Sequence, residues 1–183
     1  MYSRKNIRLD HKNYLGQTAI FVTLCCYRRR PHFTSSALCL STLEILRETA
    51  TTRNFAVHAY CFMPDHLHQL VECLSPDSDF LNFMQALRVR STRHFSNSNR
   101  MPLWQRYFFD HILRETDAFE SVCLYIWANP VRAGLTRRRG EFPFAGSYTR
   151  DLPSTCPTQS CWQPSKTKKG PSQKMAPTRS PLL

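Results

Sequence analysis

"NFAVHAYCFMPDHLHQLVEC", Asn54 to Cys73, decides the fold. Its first half, through Pro64, is β-branched and aromatic and reads as a strand; "HLHQLVEC" reads as another. Met63-Pro64-Asp65 lies between them. Proline brings no amide hydrogen to a ladder, so it marks a tight turn or bulge there, and the two strands form a hairpin. Residues i and i+2 of a strand share a face. His66 and His68 therefore project side by side, and Leu67 turns to the other face.

Upstream, "TAIFVTLCCY" (Thr18 to Tyr27) is a third apolar strand, ended by Arg28-Arg29-Arg30-Pro31. "SALCLSTLEILRETATTR" has helical spacing, with Leu38, Leu43, Ile45 and Leu46 apolar and Glu44 and Glu48 four residues apart. Downstream, "SPDSDFLNFMQALRVRSTRHF" opens on a capping residue, Ser78 or Asp79. It carries the stripe Phe80, Phe83, Met84 and Leu87, with Arg88, Arg90 and Arg93 gathered toward its C-terminal end. "LWQRYFFDHILRE" reads as a strand. In "TDAFESVCLYIWANP", Phe119, Val122, Cys123, Ile126 and Trp127 form a second helical stripe. Thr116 or Asp117 caps its start, Glu120 is available for a capping box, and Pro130 marks its stop.

The order is strand, helix, strand, strand, helix, strand, helix. It specifies an α+β sandwich, an antiparallel β-sheet with flanking helices, for which the ferredoxin-like split βαβ is the nearest template. No internal repeat is present. The expected organisation is one folded domain over residues 1–150. A Pro/Ser/Lys-rich segment over 151–183, without periodicity, is expected to be a disordered basic tail.

The chain has 183 residues, 42% of them hydrophobic, enough for a real core. Its formal net charge is +12, from 25 Lys and Arg against 13 Asp and Glu, and this points to a polyanionic partner. Residues 1–150 hold 20 of the basic and 12 of the acidic residues, and arginine far outnumbers lysine there. That bias suits bidentate phosphate contacts. No apolar run is long enough for a transmembrane helix. The polar start "MYSRKNIRLDHKN" has no secretory pattern, so a cytoplasmic location is expected. The 8 cysteines are scattered, several within apolar runs, with no C-x-x-C, and read as reduced thiols.

Two imidazoles on one strand face can chelate a cation given a third ligand, although a His-x-His is also a common pair of polar surface residues. The last helix adds chemistry. At about 100° per residue, Tyr125 falls about 130° from the apolar stripe, and Asn129 lies one turn further on the same polar face. A surface tyrosine is the plain reading. A phenolate is also a competent nucleophile. Near a cation held by two histidines and a side-chain oxygen, it could attack a DNA phosphodiester.

"CFMPDHLH", "LWQRYFFDHILRE" and "YIWANPVRAGL" together resemble the single-tyrosine HUH transposases, in particular the REP-associated tyrosine transposases. REP denotes repetitive extragenic palindromes. The resemblance runs from about Asn13 to Tyr148. It implies an enzyme that cleaves and rejoins single-stranded hairpin DNA of the REP type through a 5′-phosphotyrosine. It implies Tyr125 as nucleophile; His66, His68 and Asn129 as ligands of a divalent cation, Mg²⁺ or Mn²⁺; and a monomer, on the bacterial nucleoid.

Charge adds the phosphate contacts: Arg28, Arg29, Arg30, Arg88, Arg90, Arg93, Arg132 and Arg137 to Arg139. Trp104, Tyr107 and Phe108 are candidates for base stacking. The sequence departs from the family pattern at Asp65, where asparagine is usual, at Gln69, and at Ala145-Gly146 in the closing segment. Asp65 either shapes the turn or reaches the cation. Two other functions stay open: a non-catalytic protein that binds repeat hairpins, and a structural zinc module on Cys61, His66, His68 and Cys73.

Overall fold

The computed structural model describes residues 10–96, 101–114, 117–150 and 162–163. Five strands, β1 (Ala19–Cys25), β2 (Phe55–Met63), β3 (His66–Cys73), β4 (Phe109–Ile112) and β5 (Ala145–Gly146), form one sheet in the order β4-β1-β3-β2-β5. Every neighbouring pair is antiparallel. Three helices flank it: α1 (Ser36–Thr52), α2 (Phe80–Ser96) and α3 (Phe119–Arg132).

The expected α+β sandwich is the observed one. β2 and β3 form the hairpin, β1 pairs with β3, and β1 and β2 run parallel across it. That is the split βαβ arrangement, closed by β4 on the far side of β1.

The sheet divides the interior in two. Ile20, Val22, Leu24, Leu67 and Val71 face the α1 and α2 layer, where Leu46, Phe80, Phe83, Met84 and Leu87 complete the larger core. The other face carries Phe21, Ala59, Cys61, Met63 and Leu70, covered by Val122, Cys123, Ile126 and Trp127 of α3. The α3 stripe read from its spacing is therefore the stripe that packs. Leu67 is fully buried on the first face while its two histidine neighbours point to the second.

Several local expectations are corrected. The segment 103–115 is a strand only over Phe109–Ile112. Ahead of it, Trp104 makes an isolated bridge to Cys26, and its indole donates to Ser91 Oγ at 2.7 Å, inside the core. Helix α3 does not stop at Pro130 but runs to Arg132. Its N-cap is Ala118, with no side-chain cap. Asp117 instead accepts from the Arg114 amide at 2.8 Å and faces His111 at 3.1 Å. The alternative cap, Thr116, lies outside the described residues. Asp79 does cap α2, accepting from the Asn82 amide at 3.1 Å.

A bulge interrupts β2 between Val57 and Ala59. The extra residue is His58, whose ring bridges Glu72 Oε2 at 2.7 Å and Thr149 Oγ1 at 2.9 Å. β5 adds an edge strand that the sequence reading lacks. Gly146 fits there because a Cβ would stand 2.5 Å from the Tyr60 hydroxyl. Trp127 Nε1 donates to its carbonyl at 3.0 Å.

The tail expected from residue 151 lies outside the described residues apart from Trp162 and Gln163. Trp162 packs edge-on against Phe21 at 5.0 Å and Tyr125 at 5.2 Å. No helix among the described residues is long and apolar enough to cross a membrane.

Candidate functional site

The site lies on the sheet face that α3 covers. Ladder register sets it: Thr23 of β1 pairs with His68 of β3, and Cys25 with His66. Paired residues point to the same face, so Thr23, Cys25 and the two histidines stand together.

The imidazoles meet through Nε2, 3.0 Å apart, with their rings near perpendicular. Each outer nitrogen has its own partner. His66 Nδ1 is 2.5 Å from Asp65 Oδ1, and His68 Nδ1 is 2.9 Å from Thr23 Oγ1. A carboxylate only accepts, so this contact favours the His66 tautomer with its proton on Nδ1, which would turn a bare Nε2 lone pair toward His68.

Burial lowers the His68 pKa well below its ordinary 6.5, and the neighbouring His66, Arg29 and Arg132 add to the effect. Burial lowers His66 too, opposed by Asp65. Both rings are therefore neutral at neutral pH, the state a metal ligand needs.

The pair fits a divalent cation. With metal–nitrogen bonds of about 2.1 Å, two ligands at a right angle place their nitrogens about 3.0 Å apart. Without a cation, His68 donates Nε2–H to His66 and takes the Thr23 hydroxyl proton on Nδ1. A bound cation needs the other His68 tautomer, and a hydroxyl serves both because it donates and accepts. Among the described residues no cluster of three or more His, Cys, Asp or Glu could hold a metal. Among the described residues, a third ligand would therefore be of another residue type, or come from water or substrate. The zinc module on four sequence neighbours does not assemble: Cys73 belongs to the opposite core from Cys61.

Tyr125 stands on α3 beside this pair. Its half-buried ring is edge-on to His68 at 6.1 Å and to Phe21 at 5.9 Å. Two turns on, the Arg132 guanidinium lies 5.1 Å from the centre of the same ring. The wheel position off the apolar stripe thus corresponds to the rim of the α3 interface, over the histidines.

Asn129, one turn after Tyr125, turns its amide back onto the helix. Nδ2 donates to the Tyr125 carbonyl at 2.8 Å and the Ile126 carbonyl at 3.3 Å. The second bond explains how α3 continues past Pro130. Proline has no N–H for the carbonyl four residues earlier, which is Ile126, and Asn129 supplies the missing donor. Only its Oδ1 is left as a ligand atom.

The expected phosphate contacts fall into separate places. Arg28 and Arg29 lie in a turn after β1 with left-handed φ of 55° and 57°. Arg29 Nε meets Asp65 Oδ2 at 3.0 Å, and Arg30 reaches Met101. Arg88, Arg90 and Arg93 sit on α2, behind the sheet from Tyr125. Arg88 holds the Gln105 carbonyl at 2.8 Å, and Arg90 ties α2 to Thr49 and Glu48 of α1. Arg137 and Arg138 follow α3, the Arg138 amide bonded to Glu141. Of the aromatic candidates, Trp104 is core, Phe108 packs on Phe80, and Tyr107 is exposed.

The sequence reading missed the braces on the histidines, Thr23 and the Arg29–Asp65 pair, and the Phe21 and Trp162 rings around Tyr125. Thr23 was within reach once the β1–β3 register was known. Nothing in a Pro/Ser/Lys-rich stretch singles out Trp162.

Residues 16–129 match the family described as "Transposase IS200 like". The chain belongs to this family. It is 27% identical over 100 residues to a REP-associated tyrosine transposase of Escherichia coli strain K12, covering 55% of this chain and 58% of the relative. It is 27% identical over 117 residues to a Haemophilus influenzae protein provisionally named for the same activity, covering 58% of this chain and 66% of that one. The matches thus span under two thirds of either relative. A solved structure described as a REP-associated tyrosine transposase bound to a REP hairpin superposes with a TM-score of 0.61 at 22% identity. That match covers 79% of this chain and 82% of the other, and so shares the fold. Of the stretches that carried the resemblance, "CFMPDHLH" and the "YIWAN" that opens "YIWANPVRAGL" fall inside residues 16–129.

Proposed function

We propose that this chain cleaves and rejoins single-stranded hairpin DNA, of the kind named for its relatives, through a 5′-phosphotyrosine on Tyr125. His66, His68 and the Asn129 side-chain oxygen would hold a divalent cation. Nitrogen donors favour Mn²⁺ over Mg²⁺ within the pair expected from the sequence. The observation that carries this reading is the placement of Tyr125 beside His68, on the face where the two Nε2 atoms converge at 3.0 Å.

When bound, the cation supplies charge neutralisation at the scissile phosphate. The rest falls to the chain. The Tyr125 hydroxyl gives up its proton and attacks phosphorus. The Oη–P bond forms, the bond from phosphorus to the 3′ oxygen breaks, and that oxygen takes a proton as a free 3′-hydroxyl. Attack by a 3′-hydroxyl on the phosphotyrosine reverses the step and releases Tyr125, so the bond energy is kept. Arg132, beside the Tyr125 ring, is the side chain best placed to meet the phosphate. Arg28, Arg30, Arg93, Arg137 and Arg138 supply the wider attraction for the backbone, with Arg29, Arg88 and Arg90 already engaged within the protein.

The test is a hairpin oligonucleotide carrying a single-stranded flank, incubated with Mn²⁺ or Mg²⁺ and resolved under denaturing conditions. Wild type forms a covalent adduct; Tyr125→Phe forms none and still shifts the hairpin in a native gel. An adduct with the phenylalanine variant refutes the nucleophile. Hairpin retention without cleavage by wild type, in either metal, replaces this reading with that of a binding protein.

A further inference from the structure

Asp65 directly precedes the histidine pair, and its carboxylate has two separate engagements. Oδ1 lies 2.5 Å from His66 Nδ1, and Oδ2 takes Arg29 Nε at 3.0 Å. Neither oxygen goes to the backbone amide that a turn-forming aspartate would accept from. The turn is pinned by main chain instead: the Cys26 amide donates to the Asp65 carbonyl and the Phe33 amide to the Pro64 carbonyl, both at 2.9 Å.

Asp65 does not line the gap between the histidines either. It sits across the imidazole from Nε2, so the His66 ring stands between the carboxylate and the point where a cation would bind. Arg29 in turn comes from an unusual stretch of backbone. Two successive non-glycine residues, Arg28 and Arg29, adopt left-handed φ to deliver it, a conformation L-residues ordinarily avoid. Its Nη1 also donates to Cys25 Sγ at 3.0 Å, on the residue opposite His66 in the ladder.

We infer that Asp65 is a positioning residue: buttressed by Arg29, it fixes His66 in the Nδ1–H tautomer and aims Nε2 at the cation. This rests on the proposed metal role of the pair. A carboxylate on the far nitrogen of a ligating histidine sets its tautomer and orientation and raises its basicity, and loss of such a partner costs about 10- to 100-fold in metal affinity. The turn after β1 therefore serves the site as a backstop for the Asp65 carboxylate.

The experiment uses the full chain, without DNA. Long-range ¹⁵N–¹H spectra of histidine-labelled, metal-free protein read the tautomer directly. Wild-type His66 is expected as Nδ1–H; finding it as Nε2–H overturns the inference with no variant needed. Mn²⁺ titration followed by electron paramagnetic resonance reads affinity. Asp65→Ala is expected to weaken Mn²⁺ by about 10- to 100-fold and to mix the tautomers. Asp65→Asn, whose amide oxygen still accepts from Nδ1–H, recovers most of the affinity. Arg29→Gln, which leaves Asp65 unbuttressed, falls between them and carries the test should Asp65→Ala not fold. Wild-type affinity in both Asp65→Ala and Arg29→Gln overturns the inference. His68→Ala separates the two levels: if it binds Mn²⁺ as wild type does, the metal reading fails whatever the His66 tautomer shows.

Discussion

Replacing Asn129 with alanine in the metal-free protein tests how α3 tolerates a proline inside it. The change deletes the donor that reaches the Tyr125 and Ile126 carbonyls at 2.8 and 3.3 Å. The Tyr125 carbonyl keeps the Asn129 backbone amide as its helical partner. The Ile126 carbonyl does not, because its helical donor would be the nitrogen of Pro130. It is left unsatisfied beside a fully buried side chain. Stranding a buried acceptor costs about 1–3 kcal/mol. At about 2–4 °C per kcal/mol for a chain of this size, the melting temperature drops by several degrees. The same change made on Pro130→Ala is the control. There the alanine amide can donate to Ile126, so Asn129→Ala should cost about 1 kcal/mol less in that background. Thermal and urea denaturation of the four proteins give the coupling energy. Equal cost in both backgrounds would refute the account of Asn129 as a surrogate for the missing amide.

Three further outcomes follow from the geometry. His66 and His68 resist protonation in the fold, while in the unfolded chain they charge near 6.5. Their contribution to stability is therefore whole above about pH 6.5 and is lost as pH falls toward the lowered folded values; urea melts between pH 7.5 and 5 check this, and His68→Ala should flatten the slope. Gly146→Ala puts a Cβ 2.5 Å from the Tyr60 hydroxyl and should cost about 1–3 kcal/mol; an unchanged melting temperature counts against the close approach. Leu67→Ala should cost about 2–5 kcal/mol, because that side chain is fully buried in the larger core; His66→Ala should cost far less in stability while abolishing Mn²⁺ binding, by the same two assays.

The fold was legible because its signals were periodic. The period of two in "HLHQLVEC" and the stripes of α2 and α3 are one-dimensional statements, and short connections leave few ways to assemble the elements. The misreadings come where a distant partner decides. Pro130 reads as a stop until Asn129 is seen to replace its hydrogen bond. Asp117 reads as a cap until His111 and the Arg114 amide are seen to hold it. β5 is two residues long and exists because the β2 edge accepts it. At the site, the two histidines and the tyrosine had spacing and a resemblance to support them. Thr23 and Arg29 had neither, since their relevance depends on register across β1 and β3 and on the backbone of a three-residue turn.

The alternation of β3 has a consequence for how such a site can change. Its buried leucine and its two histidines are consecutive letters of one strand, read from opposite sides. Exchanging a histidine leaves the core around Leu67 untouched, although His68 is itself buried and stacked on Phe21 of the opposite face. Inserting or deleting one residue between them would turn a histidine into the core and expose an apolar side chain to the substrate face. The spacing of the two imidazoles is thus locked by the packing of the other half of the molecule.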